Sequence, residues 1–174
     1  MKTFIEIGSC DFDTLNYLSD YGWRGVIVEP IPKYFNNLEK KHNIIYVNAA
    51  IYHHDGTTIM YTADESVTSK DSDYRGMSTM WSGGNELINT PIEVNTITVN
   101  TLLNNCGIEC VDYLKIDAEA FDHEILKMWP WDAIAPKVIK CEIEHDGGSE
   151  TLDILKENGY HCEVEDKNVY AIKL

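Results

Sequence analysis

Short runs rich in apolar residues alternate along the chain with longer stretches that carry an apolar residue every third or fourth position. Residues 3–8 (TFIEIG), 24–29 (RGVIVE), 43–48 (NIIYVN), 111–116 (VDYLKI) and 137–143 (KVIKCEI) are runs of the first kind, and they predict buried strands. Residues 13–21, 31–41, 121–129 and 149–158 have helical spacing. Asp13 is placed to cap the first of these, Pro32 is tolerated in the first turn of the second, and Gly159 ends the last. Residues 94–99 read as extended and 101–105 as a short helix. Residues 50–54 and 57–62 flank "HDG", a hairpin-type turn signal, and 160–164 with 169–173 predict a closing hairpin around "EDKN". Residues 63–91 are polar and weakly periodic. That is long for a connection, which predicts a functional loop or lid.

Strand–helix alternation with continuous apolar strands implies a parallel sheet covered on both faces. The expected architecture is α/β: a Rossmann-like, doubly wound, mostly parallel seven-stranded sheet with a C-terminal antiparallel hairpin, in one domain spanning residues 1–174. In such open sheets the ligand lies beyond the carboxyl ends of the strands, where strand order reverses. The positions that matter then follow Ile7, Val28, Val47, Ile116 and Ile143.

Charge narrows the ligand. The 174 residues carry 29 acidic and 14 basic side chains, a formal charge of −15. Such a chain repels phosphate backbones unless it holds a basic patch, and no basic run is present. A small-molecule partner is expected rather than nucleic acid. No apolar stretch approaches the roughly 20 residues that span a bilayer. The chain opens directly on a strand, and its five cysteines (Cys10, Cys106, Cys110, Cys141 and Cys162) are scattered and odd in number. The expectation is a cytoplasmic protein with no signal peptide and with reduced thiols.

The strand ends are rich in polar groups: Glu6, Gly8 and Ser9 on the first, Glu29 on the second, Asn48 on the third, Asp117 and Glu119 on the fourth, and Glu142, Glu144 and His145 on the fifth. Glu29 follows Gly8 by 21 residues, close to the roughly 20 that separate a nucleotide-binding turn from its ribose-binding acid. A carboxylate there accepts hydrogen bonds from both ribose hydroxyls. The competing reading is a solvated strand-end glutamate. A pyrophosphate loop needs further glycines, and "SCDFD" supplies none, while Asp11 and Asp13 would repel a pyrophosphate. The loop is poor for a dinucleotide and acceptable for S-adenosylmethionine, which has a ribose, an ammonium and a sulfonium but no phosphate.

Lys115, Asp117 and Glu119 alternate along a strand end and share one face while the chain stays extended. Asp117 is a candidate for the cofactor, and Glu119 for positioning or deprotonating an acceptor hydroxyl. The alternative is a Lys115 salt bridge that only fixes the strand end. His145 is a candidate general base, since imidazole titrates near neutral pH; the alternative is a surface histidine before the "DGG" turn. Asp117, Glu142 and Glu144 have no ligand spacing that demands a metal, and none is expected. In residues 63–91, Arg75, Met77, Met80 and Trp81 lie among Gly76, Gly83 and Gly84. Apolar anchors on a glycine-hinged segment suit a lid that excludes water.

The ordered set "FIEIGSCDFD", "VIVEPIPKYFNNL", "YVNAAIYHHDG", "LKIDAEAFDHEIL" and "PKVIKCEIEH" resembles the FkbM family of methyltransferases over most of the chain. The fourth piece is similar to the family's K-I-D-x-E-G-x-E signature. The resemblance implies a class I methyltransferase using S-adenosylmethionine. It implies Glu6, Gly8 and Ser9 at the methionine end and Glu29 on the ribose. Pro30 and Ile31 are then expected beside the adenine with Asn48 and Ala49 near it, and Asp117 toward the methyl-transfer region. It favours O-methylation of a sugar or another small hydroxyl compound. The short segment before the first strand leaves acceptor-pocket building to the lid or to a second subunit, as in a homodimer. The chain departs from the pattern at Phe12, where the family has a second glycine, at Ala120, where it has glycine, and at Asp122, where the signature ends in glutamate. Phe12 either closes the cleft or stacks outside it. A degenerate fold serving as a non-catalytic binding or scaffold module is the competing reading.

Overall fold

The computed structural model describes residues 1–12, 14–64, 76–80, 86–143 and 148–174. Five parallel strands, β1 (Thr3–Ile7), β2 (Arg24–Val28), β3 (Ile44–Val47), β8 (Tyr113–Ile116) and β9 (Val138–Glu142), form most of one sheet. The antiparallel hairpin β10 (Tyr160–Glu165) and β11 (Asn168–Lys173) completes it, with β11 against β9. Among the described residues this is a seven-stranded sheet of order β10-β11-β9-β8-β1-β2-β3. The chain leaves β1 toward β2 on one side and returns to β8 on the other, so strand order reverses at β1. A cleft therefore opens at the carboxyl ends of β1, β2 and β8.

Central position explains the apolar-rich runs, because β1 is buried at every residue, Glu6 included. One face of the sheet (Ile5, Ile7, Val26, Val28, Leu114, Ile116, Ile139) packs on α2 (Val99–Cys106), α3 (Asp122–Lys127) and α4 (Gly148–Glu157) through Leu102, Leu126 and Leu155. On the other, Phe4 and Ile27 meet Leu15 and Leu38, residues in or beside a 3-10 helix at Leu15–Tyr21 and α1 (Pro32–Asn37). Period-two alternation along each strand assigns these two sets to opposite faces.

Three expectations need correction. The segment expected as a helix over 13–21 is the 3-10 helix at Leu15–Tyr21, and its cap is Thr14, whose Oγ1 accepts the Asn16 N–H at 3.3 Å. The tighter turn goes with a neighbour, since the Leu15 N–H is drawn to the Glu6 carboxylate at 2.9 Å. The helix expected over 31–41 stops at Asn37. Beyond it the Glu39 carbonyl accepts from Asn16 Nδ2 and the Tyr46 hydroxyl, at 3.1 and 2.9 Å, instead of from the helix.

The third correction concerns "HDG". The strands beside it, β4 (Ala50–Ile51) and β5 (Gly56–Ala63), do not pair with each other. Both pair with β7 (Ile88–Ile97), β4 in parallel and β5 antiparallel, and β6 (Ser78–Thr79) lies on the far side of β5. Asp55 of the turn serves α2, accepting from the Thr98 N–H and the Thr101 hydroxyl, each at 2.8 Å. Part of the expected loop over 63–91 is therefore strand; its residues 65–75 and 81–85, with Arg75 and Trp81, lie outside the described residues. Pro91 lies opposite Tyr61 of β5, and it is tolerated in β7 because β4 pairs with that strand at Thr96 and Ile97 and leaves the other edge open at Pro91. Among the described residues no helix is long and apolar enough to cross a membrane.

Candidate cofactor and acceptor site

A cavity sits in the cleft that the sheet order creates, lined on its floor by Ile7, Gly8, Ser9, Val28, Glu29 and Asp117. Gly8 makes this floor possible. It has φ +78°, and a Cβ there would lie 1.8 Å from the Asp117 carbonyl oxygen. The turn after β1 thus rests directly on the backbone at the end of β8, an approach that only glycine permits. The Asp117 N–H donates to the Ile7 carbonyl and the Gly8 N–H to the Val28 carbonyl, each at 3.0 Å, which locks three strand ends together.

Glu29 closes the next side. It is 3% exposed. Its Oε2 accepts the Cys10 N–H at 2.7 Å and its Oε1 the Ile31 N–H at 2.8 Å. The carboxylate therefore shapes the loop after β1 as well as the turn after β2. Burial pushes its carboxyl up to about 7, against the pull of those two backbone donors. Asn48 holds the same turn, its Nδ2 donating to the Glu29 and Pro30 carbonyls at 2.8 and 3.0 Å. Pro30 and Ala49 line the cavity; Asn48 and Ile31 do not, and Ile31 packs with Tyr34, Ala50, Met60 and Val94. Ser9 lines it with its hydroxyl turned to the Cys10 carbonyl at 3.0 Å.

Glu6 departs from its expected place. It is 0% exposed and absent from the cavity wall. Its side chain lies on the sheet face under the 3-10 helix, where Oε1 meets Lys115 Nζ at 2.9 Å and Oε2 takes the Leu15 N–H. Register places Glu6 directly beside Lys115 on the neighbouring strand. Lys115 reaches the cavity as its one lysine or arginine among the described residues, and it is held by Glu6.

Asp117 and Glu119 both line the cavity. The loop they share is held in an uncommon form, since Glu119 and Ala120 have φ +48° and +75°. Asp122 supports it by accepting the Ala118 N–H at 3.2 Å. Burial pushes the Asp122 carboxyl up to about 7, and the charges of Asp117 and Glu142 add to this. Buried Cys141 stands next to it, Sγ 3.9 Å from Oδ1, and burial raises that thiol too. In the sequence, position 122 stands out only as a departure from a signature; the one local sign of its loop-holding role is an acid four residues after the amide it serves.

The second sheet forms the opposite wall through Ile51, Met60 and Ser78, with Met80 just past β6. Phe12 also lines the cavity and is 45% exposed. Candidate base His145 and Glu144 lie outside the described residues. His53 and His54 pack edge-on against Tyr52 and do not reach the cavity. Among the described residues no group of three or more His, Cys, Asp or Glu is arranged to hold a metal ion.

A seven-stranded sheet of this order, reversing at a glycine turn with an acid after the second strand, defines a class I methyltransferase fold. Solved structures agree. A precorrin-6y C5,15-methyltransferase from Geobacter metallireducens GS-15 superimposes with a TM-score of 0.54 at 13% identity, over 98% of this chain and 77% of that one. A fibrillarin/Nop5p complex gives 0.51 at 14% identity, over 99% and 73%. At such identities the likeness is one of fold. Residues 6–162 match the family model described as "Methyltransferase FkbM domain", and the chain belongs to that family of S-adenosylmethionine-dependent methyltransferases. No curated protein matches it by sequence.

Proposed function

We propose that the cavity binds S-adenosylmethionine and that the protein transfers its methyl group to a hydroxyl of a small neutral or cationic acceptor, such as a sugar. The observation that carries this reading is the composition of the cavity wall: the carboxylates of Glu29, Asp117 and Glu119 beside apolar Ile7, Val28, Ile51 and Met60, with its lysine held by Glu6. That set fits a ligand with a ribose, a flat apolar base and positive charge, and opposes one with phosphates.

When bound, S-adenosylmethionine supplies a methyl group on a sulfonium, activated toward in-line displacement. The chain supplies position and environment. Each Glu29 oxygen accepts one backbone N–H, which leaves each a further lone pair for a ribose hydroxyl. Pro30 and Ala49 flank the base, and Gly8 with Ser9 bounds the methionine end. Asp117 faces the cationic region, and Asp117 or Glu119 receives the proton that an acceptor hydroxyl sheds as its oxygen is alkylated. Met60, Ser78 and Met80 line the opposite wall, and an acceptor seated against them takes the place of water, which makes its oxygen the positioned nucleophile.

The test is transfer of labelled methyl from S-adenosylmethionine to a panel of neutral sugars, amino sugars and sugar phosphates. Turnover with neutral or amino sugars, reduced at least tenfold in Asp117→Asn, is expected. Preference for the phosphorylated members overturns the acceptor assignment. Folded protein that binds neither S-adenosylmethionine nor S-adenosylhomocysteine supports the non-catalytic module instead.

A further inference from the structure

Phe12 stands where the resembled family has a small residue, and the structure gives its ring a partner across the cavity mouth. Its Cζ and Cε1 lie 3.2 and 3.3 Å from where a Cβ on Gly76 would sit, and Cys10 Sγ lies 3.1 Å from the same point. Gly76 has φ +93°, and its N–H donates to the Tyr34 hydroxyl at 3.2 Å. One glycine is thus gripped from two elements: by Phe12 and Cys10 on the loop after β1, and by Tyr34 on α1. A side chain at position 76 would be strained at that φ and would need Cys10 and Phe12 to give way.

The chain just past Gly76 enters the site. Ser78 and Met80 line the cavity together with Phe12, Cys10 and Gly76. The Gly76 contact therefore fixes how closely the second-sheet wall approaches the cofactor loop. Phe12 is 45% exposed, so the contact is broken without taking apart the core. The same loop is tied to Glu29 through the Cys10 N–H, which links ring, loop and ribose-side carboxylate in one short chain of contacts.

We propose that Phe12 is a positioning residue that latches the cavity through Gly76, governing exchange of the cofactor and seating Ser78 and Met80 over the acceptor. The part concerning the cofactor rests on the function proposed above; the latch itself does not. A glycine at position 12 would leave Gly76 without the Phe12 ring, held from the loop side by Cys10 alone.

Two measurements test this. Cys110 is exposed and Cys162 is half-buried like Cys10, so both use a Cys110→Ser/Cys162→Ser background in which Cys10 is the reporter. Alkylation of Cys10 by iodoacetamide, followed by peptide mass mapping without ligand, is expected to run at least tenfold faster in Phe12→Gly and in Gly76→Ala. Phe12→Leu, which keeps an apolar contact, is expected within threefold of the parent and guards against a folding artefact. Dissociation of S-adenosylhomocysteine, followed by displacement with labelled S-adenosylmethionine, is expected at least tenfold faster in Phe12→Gly, with association within threefold. A Cys10 rate in Phe12→Gly equal to the parent overturns the latch. Faster alkylation with an unchanged dissociation rate overturns its role in cofactor exchange. Faster alkylation in a protein whose parent binds neither ligand retains the latch and overturns the cofactor reading.

Discussion

Gly8 and Asp117 meet backbone against backbone, so closely that a Cβ on Gly8 would fall 1.8 Å from the Asp117 carbonyl oxygen. The floor of the site depends on that contact. Gly8→Ala must push the turn after β1 away from the end of β8, and at φ +78° the alanine is strained as well. A loss of roughly 3 kcal/mol or more is expected. Urea unfolding of Gly8→Ala checks it, and a midpoint equal to wild type would show that the two strand ends separate freely.

Lys115 and Glu6 form a buried ion pair at 2.9 Å. Removing one partner leaves the other charge in the core, so Lys115→Met is expected to cost roughly 3–5 kcal/mol. The double variant Lys115→Met/Glu6→Leu is expected to recover most of that loss, except for the bond Glu6 accepts from the Leu15 N–H. Equal stability of single and double variants in thermal unfolding would deny that the pair acts as a unit.

Ala120 carries φ +75°, in the left-handed region that favours glycine. Left-handed backbone disfavours an L side chain, and unfolded-state entropy offsets part of the gain from glycine, so Ala120→Gly is expected to stabilise by about 0.5–1 kcal/mol. A lower melting temperature for this variant would mean that the Ala120 methyl makes a contact worth more than the strain.

Asp122 gives a pH signature. Its folded carboxyl is pushed up from 3.8 to about 7. Between those values the folded protein holds a proton that the unfolded chain releases. The contribution to stability is full below the unfolded pKa and is lost as pH rises to about 7, at up to ~1.4 kcal/mol per pH unit. Asp122→Asn keeps an oxygen for the Ala118 N–H and removes this loss. Its stability relative to wild type is expected to rise from pH 4 to pH 7 and then level off, in urea unfolding across that range. A difference that does not vary with pH would place the Asp122 proton elsewhere.

How much of the fold and site is legible in the sequence depends on how local each cause is. The parallel strands are legible because burial on both faces leaves no polar alternation to confuse the reading, as in RGVIVE. Glu29 is legible because its spacing from Gly8 reports two adjacent strand ends. Glu6 is misplaced by sequence alone because its partner Lys115 lies 109 residues away, and only register brings them side by side. The second sheet is hidden by Pro91 and by an "HDG" turn whose aspartate holds Thr98 and Thr101 at the start of α2 rather than closing a hairpin. For Phe12 the sequence leaves two places, closing the cleft or outside it; its position against Gly76 depends on a segment that periodicity does not describe.

The most direct measurement is calorimetric titration of S-adenosylhomocysteine into wild type, Glu29→Gln and Glu29→Ala at pH 6 and pH 8. Burial pushes the Glu29 carboxyl up to about 7, and the ionised form is the one that accepts from both ribose hydroxyls. Wild-type affinity is therefore expected to be about tenfold higher at pH 8 than at pH 6, since one proton must leave for each ligand bound below the pKa. Glu29→Gln is expected to lose that pH dependence, and Glu29→Ala to bind at least tenfold more weakly at pH 8. Binding by Glu29→Ala as tight as wild type would contradict the ribose assignment and with it the placement of the cofactor in this cavity.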